Sequence, residues 1–71
     1  MKYKIGDYGY WKFMVKKLIH DKYYENNIEM YGEITKADDQ QIKIVDCYDI
    51  EYRIFLPRLI KFEKQDKPQV R

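Results

Sequence analysis

Residues 28–46 constrain the fold of this chain more tightly than any other stretch. Apolar or small residues fall at Ile28, Met30, Gly32 and Ile34, with polar residues or Tyr between them. A period of two sends alternate side chains to opposite faces of an extended strand, one of them buried. Asp38-Asp39-Gln40 supplies turn chemistry, because Asp side chains bond their own backbone. Residues 41–46 then alternate again as a return strand, so the pattern predicts a β-hairpin over 28–46.

The following third reads the same way. Asp49 marks a turn, and residues 50–56 alternate up to Pro57, which cannot donate to a ladder and ends the strand. Pro57-Arg58-Leu59 fits a 3₁₀ turn, and residues 59–62 form a short last strand. Residues 64–71 are polar and are expected to fray as a flexible tail, leaving one domain over residues 1–63.

The first third supports two readings. As a strand, Trp11, Phe13 and Val15 share one face, with Lys12, Met14 and Lys16 on the other. As a helix over 10–24, Trp11, Met14, Val15, Leu18 and Ile19 form an apolar stripe that Asn26-Asn27 would end. Gly6, Gly9 and the aromatic density of 8–13 favour the strand. The strand reading gives a mostly-β domain of five strands. The helix reading gives an α+β domain with its helix packed on an antiparallel sheet.

With the strand reading, the order resembles the SH3-like barrels of bacteria, the group that includes Tudor-like and KOW-type modules. Gly6-Asp7 precedes a first strand and a long polar loop. Tyr31-Gly32-Glu33-Ile34 then forms a Gly-centred strand, followed by the Asp-rich turn, two further strands, the connector Leu56-Pro57-Arg58-Leu59 and a last strand. The resemblance covers roughly residues 4–63 and implies a single small five-stranded barrel. It does not extend to PxxP recognition. The connector lacks the tyrosine of that groove, and Trp11 stands on the first strand instead of the middle one.

Composition narrows the function classes. A chain of 71 residues buries only about 60% of the surface its unfolded form exposes, so nothing in it is spare. One cysteine, Cys47, permits no internal disulfide, and with His20 it falls short of the usual four-ligand zinc site. Cys47, among alternating residues, is expected as a reduced, half-buried thiol in a cytoplasmic protein. No apolar run approaches a membrane span, and the N-terminus has no apolar signal segment. Lys, Ile, Tyr, Asn and Phe make up 33 of the 71 residues, and these are types with AT-rich codons. That usage raises the expectation of a phage or mobile-element protein that inhibits a host or defence factor.

Catalytic patterns are missing. The sequence has no serine, a single threonine and no phosphate-binding glycine loop. Cys47 and His20 form a nucleophile–base pair only if the fold joins them, and no third orienting residue stands out. Asp46, Asp49 and Glu51 cluster where turn chemistry alone accounts for them. The expectation is a non-enzyme with no cofactor and no metal.

Two features point to binding. Eight Tyr, three Phe and one Trp exceed what so small a core can hide, and Tyr is favoured at interfaces. The candidates are Tyr8, Tyr10, Tyr23, Tyr24, Tyr31, Tyr48 and Tyr52. The charge is also polarised: residues 1–22 and 52–71 each carry +4, whereas residues 23–37 carry −2 and residues 38–51 carry −4. If the first and last strands pair, Lys12, Lys16, Lys17, Arg58, Lys61 and Lys64 gather into a basic surface that steers a charged partner. The sequence therefore predicts a protein-interaction module using exposed tyrosines beside this basic surface, with homodimerisation open. The alternative is a nucleic-acid binder, with Lys12, Lys16 and Lys17 beside Trp11, Phe13, Tyr23 and Tyr24.

Overall fold

The computed structural model describes residues 3–68. Among them are five strands and no α-helix. The strands are β1 (Tyr8–Ile19), β2 (Lys22–Ala37), β3 (Gln41–Val45), β4 (Glu51–Phe55) and β5 (Leu59–Lys64), with a 3₁₀ turn at Leu56–Arg58. They form one antiparallel sheet in the order β4-β3-β2-β1-β5. The sheet is open: β4 and β5 lie at its two ends and are not paired to each other.

The core lies on one face. Trp11, Phe13, Ile34, Ile42, Ile44 and Ile54 are buried, and Ile28, Met30, Tyr52, Leu56, Leu59 and Phe62 pack against them. These are the alternate positions the period-two pattern selects. Trp11 anchors the cluster. Its ring stacks on Phe62 at 3.9 Å between centroids, and its indole N–H donates to Gly32 O at 3.0 Å, which satisfies a buried polar group. Gly9 and Gly32 face each other across β1 and β2, and both are buried. A Cβ on Gly9 would run into the Glu63 carbonyl, and one on Gly32 would lie 2.9 Å from Val45 O. The flanking strands β5 and β3 approach this pair too closely for a side chain.

The turns follow their side chains. The Asp38 carboxylate accepts N–H bonds from Gln40 and Gln41 at 2.8 and 2.9 Å. Asp46 accepts from Tyr48 and Ile50 at 2.9 and 3.0 Å, and Asp49 holds φ 61°. The acidic residues of the β3–β4 connection therefore have turn roles.

Four expectations change, the closed barrel among them, since the sheet is open; over residues 10–24 the strand reading holds against the helix, because β1 and β2 run through them. Lys12, Met14 and Lys16 alternate with the buried face, and a 3.6-residue stripe would have left Phe13 outside the core. The long polar loop is likewise a strand. β2 begins at Lys22 and pairs residue by residue with β1, from Ile19↔Lys22 to Tyr8↔Glu33. Its connection is only His20-Asp21, both at positive φ (50° and 63°), the backbone a two-residue type I′ hairpin turn requires. Cys47 is exposed in the β3–β4 turn because that segment has left the alternation. The expected tail starts later than residue 64: Lys64 ends β5 and Gln65 N donates to Tyr8 O at 2.9 Å. Gln69, Val70 and Arg71 of that tail lie outside the described residues.

Candidate functional site

β1 and β2 are much longer than their neighbours. β5 reaches β1 only at Gly9–Phe13, and β3 reaches β2 only at Glu33–Ala37. Residues 14–19 and 22–27 therefore project as a two-stranded ribbon with no third strand on either side. At about 3.3 Å per residue each ribbon strand spans roughly 20 Å, in a molecule 45 Å along its longest axis.

Val15 at the ribbon's base still packs against the core; beyond it the ribbon carries large apolar side chains with no core to bury them. Leu18 is 59% exposed, Ile19 47%, Tyr23 66% and Tyr24 48%. Leu18 and Tyr23 are direct cross-strand partners and therefore share a face, while Lys17↔Tyr24 and Ile19↔Lys22 occupy the other. Lys16 Nζ lies 5.1 Å from the Tyr23 ring centroid, within cation–π range. Lys16↔Glu25 are opposed charges in register. The tip thus presents an aromatic–aliphatic pair on one face, a Tyr and an Ile on the other, and lysines on both.

The remaining tyrosines divide. Tyr10 and Tyr31 pair across β1 and β2 on the outer face, with centroids 5.6 Å apart. Tyr10 Oη donates to Glu29 at 2.8 Å. That bond, with desolvation and the neighbouring carboxylates Glu29 and Glu63, pushes the Tyr10 hydroxyl above its ordinary pKa. Tyr31 is exposed, Tyr8 is half-buried, and Tyr52 packs against the core. Tyr48 is 79% exposed, alone in the β3–β4 turn.

The basic candidates divide as well, with Lys16 and Arg58 lining one cleft and Lys12 and Lys61 opposed across β1 and β5. Lys12 and Lys61 face each other across β1 and β5, each within reach of a carboxylate: Lys12–Glu29 at 3.8 Å and Lys61–Glu63 at 2.7 Å. Glu63 raises the Lys61 pKa. Lys64 stands opposite Gly9 and reaches Asp7 at 3.6 Å. Lys16 and Lys17 lie on opposite faces of the ribbon, and Arg58 sits in the 3₁₀ turn. Trp11 and Phe13 are buried, so neither is open to stack on a base. His20 and Cys47 occupy different turns, and among the described residues no three His, Cys, Asp or Glu side chains converge as metal ligands. Among the described residues no helix is long and apolar enough to cross a membrane.

The sequence reading did not single out Leu18 and Ile19 as surface residues. Their signal was present: Leu18 and Ile19 are apolar at consecutive positions, so in a strand one of them must face outward.

No family model, curated protein or solved structure matches the chain.

Proposed function

We propose that this chain is a non-enzymatic binding module that docks on a partner protein through its projecting ribbon. The observation that carries this reading is the exposed Leu18–Tyr23 pair at the end of a ribbon with no core beneath it. An isolated two-stranded hairpin is marginal in water, and exposing four large apolar groups on one adds nothing to its stability. Such groups stabilise a protein only when something covers them. Tyr and clustered aliphatic side chains are the anchors of protein interfaces, and the two unpaired ribbon edges offer backbone N–H and C=O groups for strand addition. The order β4-β3-β2-β1-β5 and the 3₁₀ connector support an SH3-like strand plan for the body. The ribbon takes the place where that plan has its long loop.

The test is photo-crosslinking in cells that encode the chain, with a photoreactive phenylalanine replacing Tyr23 and, as a control, Tyr48. A discrete protein adduct at position 23, absent at position 48 and lost when Leu18→Ser is added, is the expected result. Equal labelling at both positions, or an adduct that survives Leu18→Ser, would refute the reading. An adduct at twice the chain mass identifies the partner as a second copy.

A further inference from the structure

The far side of the sheet holds a second surface that the ribbon does not explain. Strands β2 and β3 pair as Ile34↔Ile44 and then Lys36↔Lys43, so Thr35 is an extra residue in β2. Bulges of this kind re-aim the side chains that follow them. Without it, Thr35 would face Lys43; with it, Lys36 does. Lys43 in turn faces Arg53 on β4. Three cations therefore stand in register on three neighbouring strands, about 4.8 Å from strand to strand, on the face away from the core. Like charges directly opposite each other destabilise a sheet, so the arrangement costs stability that an anionic partner would return.

The row opens into grooves. Lys36, Lys43 and Arg53 line a cleft of about 100 Å³ with Gln41 and Asp38. Arg53 also lines a cleft of about 240 Å³ with Lys16, Arg58 and Phe55. Phe55 lies two residues beyond Arg53 on the same strand face and is 49% exposed, with its ring open to the clefts it lines. Lys43 lies 3.6 Å from Glu51, and Asp38 is held by its turn beside Lys36. Among the described residues, Lys36, Arg53 and Arg58 are in no ion pair. Asp39 borders the far end of the groove with Phe55 and Arg58.

We propose that this edge of the sheet binds single-stranded nucleic acid, with Lys36, Lys43, Arg53 and Arg58 along the phosphates and Phe55 under a base. A lone anion would be met by two of these groups. Cations spread over β2, β3, β4 and the 3₁₀ turn match a chain of anions. An exposed ring in the cleft that Arg53 and Arg58 line distinguishes a strand with free base faces from an acidic peptide or a duplex. Neither Leu18 nor Tyr23 lines these clefts; Lys16 borders both surfaces, lining the larger cleft and lying over Tyr23, and it is not among the phosphate contacts.

The experiment is fluorescence anisotropy with a short labelled oligothymidylate, its duplex with oligoadenylate, and a polyglutamate of the same length. The single strand is expected to bind with Kd in the range of about 1–100 μM near physiological salt and to weaken as salt rises. Lys43→Ala with Arg53→Ala should lower the log Kd–log salt slope by about 1.4, two phosphate contacts at about 0.7 each. Phe55→Ala should weaken binding by about 5- to 150-fold and leave the slope unchanged. Leu18→Ser, which leaves Lys16 over Tyr23, should leave both affinity and slope as in the parent. The replaced side chains are exposed or half-exposed, and each variant is checked for the parent's far-ultraviolet spectrum. Absence of salt-dependent binding overturns the proposal, as does binding that ignores the Arg53 and Phe55 changes. Duplex or polyglutamate binding as tight as the single strand, with the same losses in the variants, overturns it in favour of a duplex or an acidic protein.

Discussion

Body and ribbon are made from the same two strands, and they obey different rules. In the body, β1 lies between β2 and β5, β2 passes from β1 to β3 at Glu33, and every second side chain enters one core around Trp11. In the ribbon, the same strands continue with the same register and lose their other strand neighbours and, beyond Val15, the core. Alternation holds in both regions, but only in the body does it separate inside from outside. A β-strand's geometry is thus set by pairing, whereas its burial is set by what lies over it. The ribbon is a strand pair that has kept the first and given up the second.

The largest effect should come from breaking the body. Trp11→Ala removes a buried ring, its stack on Phe62 and the indole bond to Gly32. Large aromatic deletions in cores cost about 3–5 kcal/mol, and a core this small supplies about 3–5 kcal/mol in total. The variant is expected to be largely unfolded at 25 °C by circular dichroism, whereas Leu18→Ser with Tyr23→Ser should stay within about 0.5 kcal/mol of the parent in urea. A ribbon double variant that loses as much stability as the tryptophan change would mean the two regions share one core.

That contrast also explains what was legible in the sequence. The hairpin 28–46, the Asp38 turn, the strand over 50–56 and the 3₁₀ connector all carry their own signals: alternation, Asp turn chemistry and proline. Their boundaries moved by one or two residues at most where a core stands on one side. The stretch Glu25-Asn26-Asn27 carries no strand signal, and it is a strand only because β1 lies beside it. His20-Asp21 is the same case, a tight turn without the glycine that usually marks one. The candidate site divides in the same way. Tyr23 and Tyr24 were readable as surplus aromatics, and their place on a projecting ribbon was not. The Lys36–Lys43–Arg53 row depends on a bulge at Thr35, and a one-residue shift of phase is not visible as composition or charge.

A smaller effect should sharpen the boundary between the regions. His20 and Asp21 hold positive φ without being glycine, and a left-handed backbone costs an ordinary residue about 1–2 kcal/mol. His20→Asn with Asp21→Gly installs the preferred type I′ pair. If the ribbon opens separately from the body, amide exchange should slow at residues 16–19 and 22–25 by about fivefold or more, with little change in the global midpoint. Equal slowing at Trp11 and Ile44 would show instead that ribbon and body open as one unit.

The smallest effect tests the body alone. Two backbone N–H bonds, from Gln40 and then Gln41, hold the Asp38 carboxyl below its ordinary pKa, with help from Lys36. A group whose folded pKa is depressed contributes stability above its unfolded pKa and loses it as pH falls through the folded value. Asp38→Asn keeps the side-chain oxygen for the turn and removes the titration. Between about pH 5 and pH 2 the native chain should therefore lose more stability than the variant, measured as the shift in urea midpoint. Asp38 is exposed, so solvent screening keeps the difference small. The ribbon's exchange rates should not follow it, because the hydrogen bonds the carboxylate accepts lie within the β2–β3 turn and none comes from the ribbon. Parallel acid slopes in the two proteins would show that the turn forms without the carboxylate's charge, leaving its geometry to the oxygen alone.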